Sequence, residues 1–167
     1  MQLQTFNQLD DQDAHAILNH CVTIESWINA LIKARPYTTK QDLLQQAEQY
    51  ATNWQWQEIK QALDQHPKIG EQKAKTELSE QAQRYSNREQ ANIQLTPTQQ
   101  KQLQLDNLTY QQKFGFIFLI KAFGLSQQEV FQQLQQRLTH NLNTEKQIVH
   151  QQLQGIALLR LDQEIQE

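Results

Sequence analysis

His66 stands between a helical pattern and Pro67, where the residue before a proline is pushed toward extended backbone. It belongs to a bend and not to a helix body. Lys68-Ile69-Gly70 completes the turn, with a glycine free to take positive φ. An imidazole titrates near working pH, so a histidine on a rigid bend at a helix end is placed to face a pocket and move protons there. The structural alternative is a histidine that bonds the orphan carbonyls of the helix before it.

Arg160 is the second departure from a plain helical pattern. It lies four residues after Ile156 and three after Ala157, so it continues an inward apolar stripe. A guanidinium cannot lose its proton and, if buried, needs anionic or carbonyl partners. A site for an anionic or urea-bearing ligand supplies them; so does an inward carboxylate, and snorkelling from the edge of the face avoids the need. The third is Ser86-Asn87-Arg88-Glu89-Gln90. Ser and Glu three apart read as a capping box that opens a new helical turn, and a helix N-terminus also attracts anions. His15, His20, His140 and His150 have no paired metal spacing, and the chain has no glycine-rich phosphate loop, no Gly-x-Ser-x-Gly elbow and no cysteine pair. The lone Cys21 sits inside an apolar helical pattern and reads as a small buried hydrophobe. No motif asks for a nucleotide, a metal or an organic cofactor.

The elements that must position these residues read as helices. Ala14, Ile17, Leu18, Cys21, Ile24, Trp27, Ile28, Leu31 and Ile32 form one amphipathic stripe, ended by Arg35-Pro36. Thr39 caps a second helix with Leu43, Leu44, Ala47 and Tyr50 inward, and a third over 55–64 carries Trp56, Ile59, Ala62 and Leu63. Residues 71–85 show Ala74, Leu78, Ala82 and Tyr85 on one face. Thr96-Pro97 is a further start signal, for a helix reaching about Gln112. Residues 114–123 are the most apolar run, a short buried strand or a buried irregular segment. Ser126-Gln-Gln-Glu129 is another capping box, for a helix that buries Val130, Phe131, Leu134 and Leu138. Asn143 or Thr144 caps a last helix running to about residue 165, with Val149, Leu153, Ile156, Ala157 and Ile165 inward.

Composition agrees. Among 167 residues there are only 4 Gly and 3 Pro, and Gln, Leu, Ala, Glu and Lys dominate, which favours helix over sheet. Gln makes up roughly one residue in five, yet it falls on the polar phases of helical patterns and not in a low-complexity tract. No composition shift, repeat or long linker marks a second domain, so the expectation is an all-α single domain over residues 1–167, a bundle of about seven or eight helices. A net charge of −3 gives no basic footprint for nucleic acid. No apolar stretch approaches the ~20 residues needed to span a bilayer. The polar, acidic first residues lack a signal layout and the last ones carry no peroxisomal or retention address, so a soluble cytoplasmic protein is expected.

Four segments, in order and spacing, resemble the decarboxylase family that acts on 2-oxo-4-hydroxy-4-carboxy-5-ureidoimidazoline (OHCU) in urate breakdown. His66-Pro67-Lys68-Ile69-Gly70 is similar to its His-Pro motif, and Ser86-Asn87-Arg88-Glu89-Gln90 to its Ser-x-x-Glu-Gln motif. The stretch from Tyr110 through Lys113-Phe114-Gly115-Phe116-Ile117-Phe118 is similar to its Tyr-x-x-Lys-Phe-Gly-Phe-Pro-Phe segment. Ile156-Ala157-Leu-Leu-Arg160-Leu161 matches its Ile-Ala-x-x-Arg-Leu signature. The resemblance covers nearly the whole chain. It departs at Ile117, where proline is usual, at Lys121 in a segment whose backbone lines the family's pocket, and at Asn92, which replaces a common glycine and is the next best residue for left-handed backbone.

The resemblance implies a fold of packed helices, usually a homodimer, and a cofactor-free carboxy-lyase acting on a small molecule to give (S)-allantoin. It implies His66 as general acid/base, Glu89 as the group that holds or polarises that region, and Arg160 as the binder of an anionic or carbonyl oxygen. It implies Pro67, Ser86 and Gln90, with the backbone at Phe118, Leu119, Ile120, Lys121 and Ala122, as the substrate-positioning set. A decarboxylase of a related ureido acid on the same fold, and a Gln-rich helical interaction module without catalysis, remain alternatives. Activity on the urate-derived intermediate separates them.

Overall fold

The computed structural model describes residues 1–70 and 80–167, with the backbone alone for residues 80–83 and 86. Among the described residues the chain is all-α, with nine helices and no strand; Gln2 and Gln166 form an isolated parallel bridge. It divides into two compact units: Met1–Ala62 with Leu153–Glu167, and Leu63–Gln152.

The first unit holds α1 (Leu3–Gln8), α2 (Asp11–Cys21), α3 (Glu25–Lys33), α4 (Lys40–Ala51), α5 (Trp56–Leu63) up to Ala62, and the later part of α9 (Leu142–Glu164). The stripe over 14–32 is not one helix. Val22 and Ile24 take extended backbone, with φ −162° and −123°, and divide it into α2 and α3. Three consecutive β-branched residues, Val22-Thr23-Ile24, lose side-chain freedom in a helix and fit extended backbone. Val22 and Ile24 remain buried, so the apolar pattern survives the break. α2 packs on α3 and α3 on α4. Trp27 anchors that layer: it is 1% exposed, its indole N–H donates to the Ala47 carbonyl at 2.8 Å, and it meets Trp54 edge-on at 6.1 Å. α4 starts at a capping box in which the Thr39 hydroxyl accepts the Asp42 N–H, as expected.

The second unit holds α6 (Glu80–Glu89), α7 (Pro97–Phe114), α8 (Gln127–Leu138) and the start of α9. The capping boxes at Thr96 (with Gln99) and Ser126 (with Glu129) are present, and Pro97 occupies the first turn of α7. α7 runs two residues past Gln112 and ends at Gly115, whose φ of +80° is the left-handed cap that glycine takes without strain. Lys113 donates from Nζ to the carbonyls of Leu138 (2.5 Å) and His140 (3.0 Å), satisfying the end of α8.

Two start signals are corrected. Ser86-Asn87-Arg88-Glu89 does not open a helix: α6 runs unbroken from Glu80 through Glu89, with neither Gly nor Pro in that stretch to interrupt it. The anion-attracting helix N-terminus expected there is therefore absent. The expected helix over 71–85 lies outside the described residues up to 79 and is helical from Glu80. For α9 the cap is Asn141, whose Oδ1 accepts the Thr144 N–H at 2.9 Å, and not Asn143 or Thr144. In α8 the buried set is Val130, Leu134 and Arg137, while Phe131 and Leu138, expected inward, are half-buried. Asn92 does not use left-handed backbone, since no described residue other than glycine has positive φ.

Candidate active site

α5 delivers His66. The helix ends at Leu63, and the His66 N–H closes the following turn on the Leu63 carbonyl at 3.0 Å. His66 and Pro67 are half-buried. Three side chains from elsewhere in the second unit then pin the end of this turn. Gln90 accepts the Gly70 N–H at 3.2 Å, Gln100 donates to the Gly70 carbonyl at 3.1 Å, and Asn107 donates to the Ile69 carbonyl at 3.1 Å. The first of these ties joins the His-Pro turn to the end of α6, where Glu89 and Gln90 stand half-buried. Two motifs separated by twenty residues therefore meet through a side chain of one and the backbone of the other.

Gly70 allows this approach. Its φ is +76°, and a Cβ added there lies 2.6 Å from Leu103 Cδ2 and 3.4 Å from Leu95 Cδ1. Gly70→Ala combines strained backbone with that overlap. It is expected to lower stability by about 1–3 kcal/mol, read as a lower urea midpoint at unchanged slope. An unchanged midpoint would show that the turn accommodates a side chain.

The proposed pocket wall is irregular. Residues 117–122 belong to no helix or strand, which resolves the choice left open by the apolar run. Phe118, Leu119 and Ala122 are buried, Ile120 is half-buried and Lys121 is exposed. The Lys121 N–H donates to Gln152 Oε1 at 2.8 Å. Ile117, in the place of the usual proline, is half-buried between the buried rings of Phe116 and Phe118.

Arg160 belongs to the first unit. It is 8% exposed and donates to the Cys21 carbonyl at 3.4 Å, at the end of α2 where the helix breaks. Part of what the guanidinium needs is thus backbone, a partner that neither the ion-pair nor the snorkelling alternative named. Cys21 is fully buried, and burial pushes its thiol up to about 12, against the pull of Arg160 and with a further rise from Glu164. A thiol so far from ionisation is a packing group. Ser86 lies within α6, and its side chain is outside the described ones.

Sequence reasoning missed a buried polar cluster. Arg137 is 2% exposed and Glu145 wholly buried. Arg137 Nε donates to Glu145 Oε2 at 3.0 Å, Nη1 to the Leu119 carbonyl at 2.6 Å, and Nη2 to the Tyr110 hydroxyl at 3.2 Å. The Tyr110 hydroxyl also donates to Glu145, whose other oxygen meets His140 Nδ1 at 2.8 Å. Burial raises the Tyr110 phenol well above its ordinary value, opposed by Arg137 and reinforced by Glu145, so it stays a donor. A signal was present: Arg137 lies three residues after Leu134 and seven after Val130, the same continuation of an inward stripe that singled out Arg160. Among the described residues no group of three His, Cys, Asp or Glu side chains is placed to hold a metal ion.

The fold has a solved counterpart. The crystal structure of OHCU decarboxylase in the presence of (S)-allantoin superposes with a TM-score of 0.72 over 93% of this chain and 97% of that one, at 20% identity. An OHCU decarboxylase family model matches residues 7–162, and the chain belongs to that family. A uric acid degradation bifunctional protein of Bacillus sp. (strain TB-90) is 26% identical over 168 residues, 100% of this chain and 33% of the relative. A 2-oxo-4-hydroxy-4-carboxy-5-ureidoimidazoline decarboxylase of Halalkalicoccus jeotgali is 33% identical over 101 residues, 59% of this chain and 53% of the relative. The chain thus spans a third and about half of the length of these two relatives.

Proposed function

We propose that the protein is a cofactor-free carboxy-lyase that converts 2-oxo-4-hydroxy-4-carboxy-5-ureidoimidazoline to (S)-allantoin in urate breakdown. The observation that carries the reading is the Gln90–Gly70 hydrogen bond, which draws the His-Pro turn to the Glu-Gln end of α6 inside a family match spanning residues 7–162.

The substrate holds its carboxylate beside a hydroxyl on an imidazoline ring. Breaking the bond to carbon dioxide leaves an electron pair on the ring that the adjacent C=N delocalises, so the ring is its own electron sink. Protonation on one face then sets the S configuration. In this account His66 is the general acid/base and delivers that proton, a role worth ~10²–10⁴-fold in rate. Glu89 holds or polarises the region around it. Gln90, Ser86 and Pro67 orient the ring and ureido arm with the backbone at Phe118, Leu119, Ile120, Lys121 and Ala122, and Arg160 takes an anionic or carbonyl oxygen. Donors fixed where charge develops contribute the dominant electrostatic part.

The chain acts as one catalytic domain, as a homodimer and in the cytoplasm; among the described residues no helix is long and apolar enough to cross a membrane. The test generates the unstable substrate in place from urate with urate oxidase and hydroxyisourate hydrolase and follows (S)-allantoin by circular dichroism. Rapid, one-handed signal is the expected result. A wild-type trace that only matches the slow, racemic background overturns the reading and leaves the helical interaction module as the hypothesis to pursue.

A further inference from the structure

Residues 117–122 have no helix or ladder hydrogen bonds to fix their shape, so the groups that reach them from outside decide it. Arg137 reaches two of them. Its Nη1 donates to the Leu119 carbonyl at 2.6 Å, and its guanidinium carbon lies 4.5 Å from the centroid of the Phe118 ring. The guanidinium cannot turn away, because Nε is held by Glu145 and Nη2 by both Glu145 (3.0 Å) and Tyr110. Tyr110 is fixed in turn by its ring contacts with Phe114, Phe116 and Phe118, at 4.6, 6.0 and 5.3 Å between centroids.

We propose that Arg137 is a positioning residue for the decarboxylation: held by Glu145 and Tyr110, it sets the orientation of the Leu119–Ile120 peptide in the substrate-binding wall. This rests on the function proposed above. In a trans peptide the C=O and the N–H point in opposite directions. With the Leu119 carbonyl turned onto Arg137, the Ile120 N–H is turned away from the buried cluster. Among the described residues it meets no hydrogen-bond partner. A cation on the carbonyl also polarises the peptide and makes that N–H a stronger donor. Lysine cannot reproduce the arrangement, since one ammonium lacks the rigid fork that serves a carbonyl, a carboxylate and a phenol at once.

A purely structural ion pair is the competing account, and the test separates the two. The triple variant Arg137→Met, Glu145→Leu, Tyr110→Phe removes both charges and the phenol together, leaving no uncompensated buried ion among the three; buried pairs replaced by apolar groups of similar volume commonly leave folding intact. Thermal unfolding, the ¹H–¹⁵N amide resonance of Ile120, and kcat and KM in the coupled assay are measured on the wild type and the variant. The expected result is a folded variant whose Ile120 resonance has moved and whose kcat/KM has fallen ~10²-fold, the scale that small misplacements cost. The loss should appear in kcat as well as KM. Should the triple variant not fold, Arg137→Lys, which keeps the charge, is read by the same criteria, with a smaller fall expected. A folded variant with wild-type kcat/KM overturns the inference, and so does a loss of activity with the Ile120 resonance unmoved. An inactive wild type overturns the decarboxylase reading and the catalytic role of Arg137 with it; the Ile120 resonance still reports separately whether Arg137 holds the peptide.

Discussion

His66→Ala is expected to lower the rate of one-handed allantoin formation by ~10²–10⁴-fold while the protein stays folded. The magnitude is that of a positioned proton donor, and ties to the turn made by other groups remain in the variant. Its described ties run through backbone and other side chains: the His66 N–H to Leu63, Gln90 and Gln100 to Gly70, Asn107 to Ile69. None of these four uses the imidazole. Because the uncatalysed reaction gives both hands, loss of handedness in the product separates failed protonation from slow binding. A variant that matches wild type in rate and handedness would remove His66 from the chemistry and leave it as a helix-terminal residue.

The second large effect is on stability. Arg137→Met alone leaves the Glu145 carboxylate, 0% exposed, without its guanidinium. Breaking a buried pair on one side costs about 3–5 kcal/mol. At about 2–4 °C per kcal/mol for a chain of this size, the thermal midpoint should fall on the order of 10 °C. Calorimetry of the single variant measures it. A midpoint within a degree or two of wild type would show that the cluster relaxes around the missing cation.

What the sequence discloses depends on how local the cause is. The capping boxes at Thr39, Thr96 and Ser126 are legible because donor and acceptor are three residues apart and flanked by an apolar run. The same spacing misleads at Ser86, where Ser and Glu simply follow one another one turn apart inside α6. The break between α2 and α3 is hidden because Val22 and Ile24 stay buried, so the apolar stripe continues across a place where the backbone does not. Within the candidate site, the bend at His66 could be read from Pro67 and Gly70. The Gln90 contact could not, since one glutamine among many carries no mark of the Gly70 N–H it serves. Arg137 carried only its stripe spacing as a mark: it stands among exposed glutamines of α8, and Glu145, which neutralises it, lies beyond the end of that helix in the next one.

α7 carries ties to both proposed halves of the wall in the second unit. Gln100 and Asn107 hold the turn after His66, and Tyr110, one turn further on, holds Arg137 and through it residue 119. Each residue added to a helix rotates everything after it by about 100° relative to what came before. A single insertion between Gln100 and Tyr110 would therefore swing one set of ties off the other's face, whichever end of the helix stayed in place. Changes in chain length within the second unit are better absorbed in the loops that flank α7, whereas the stretch from Gln100 to Tyr110 acts as a ruler whose length in residues is fixed by what its two ends must hold.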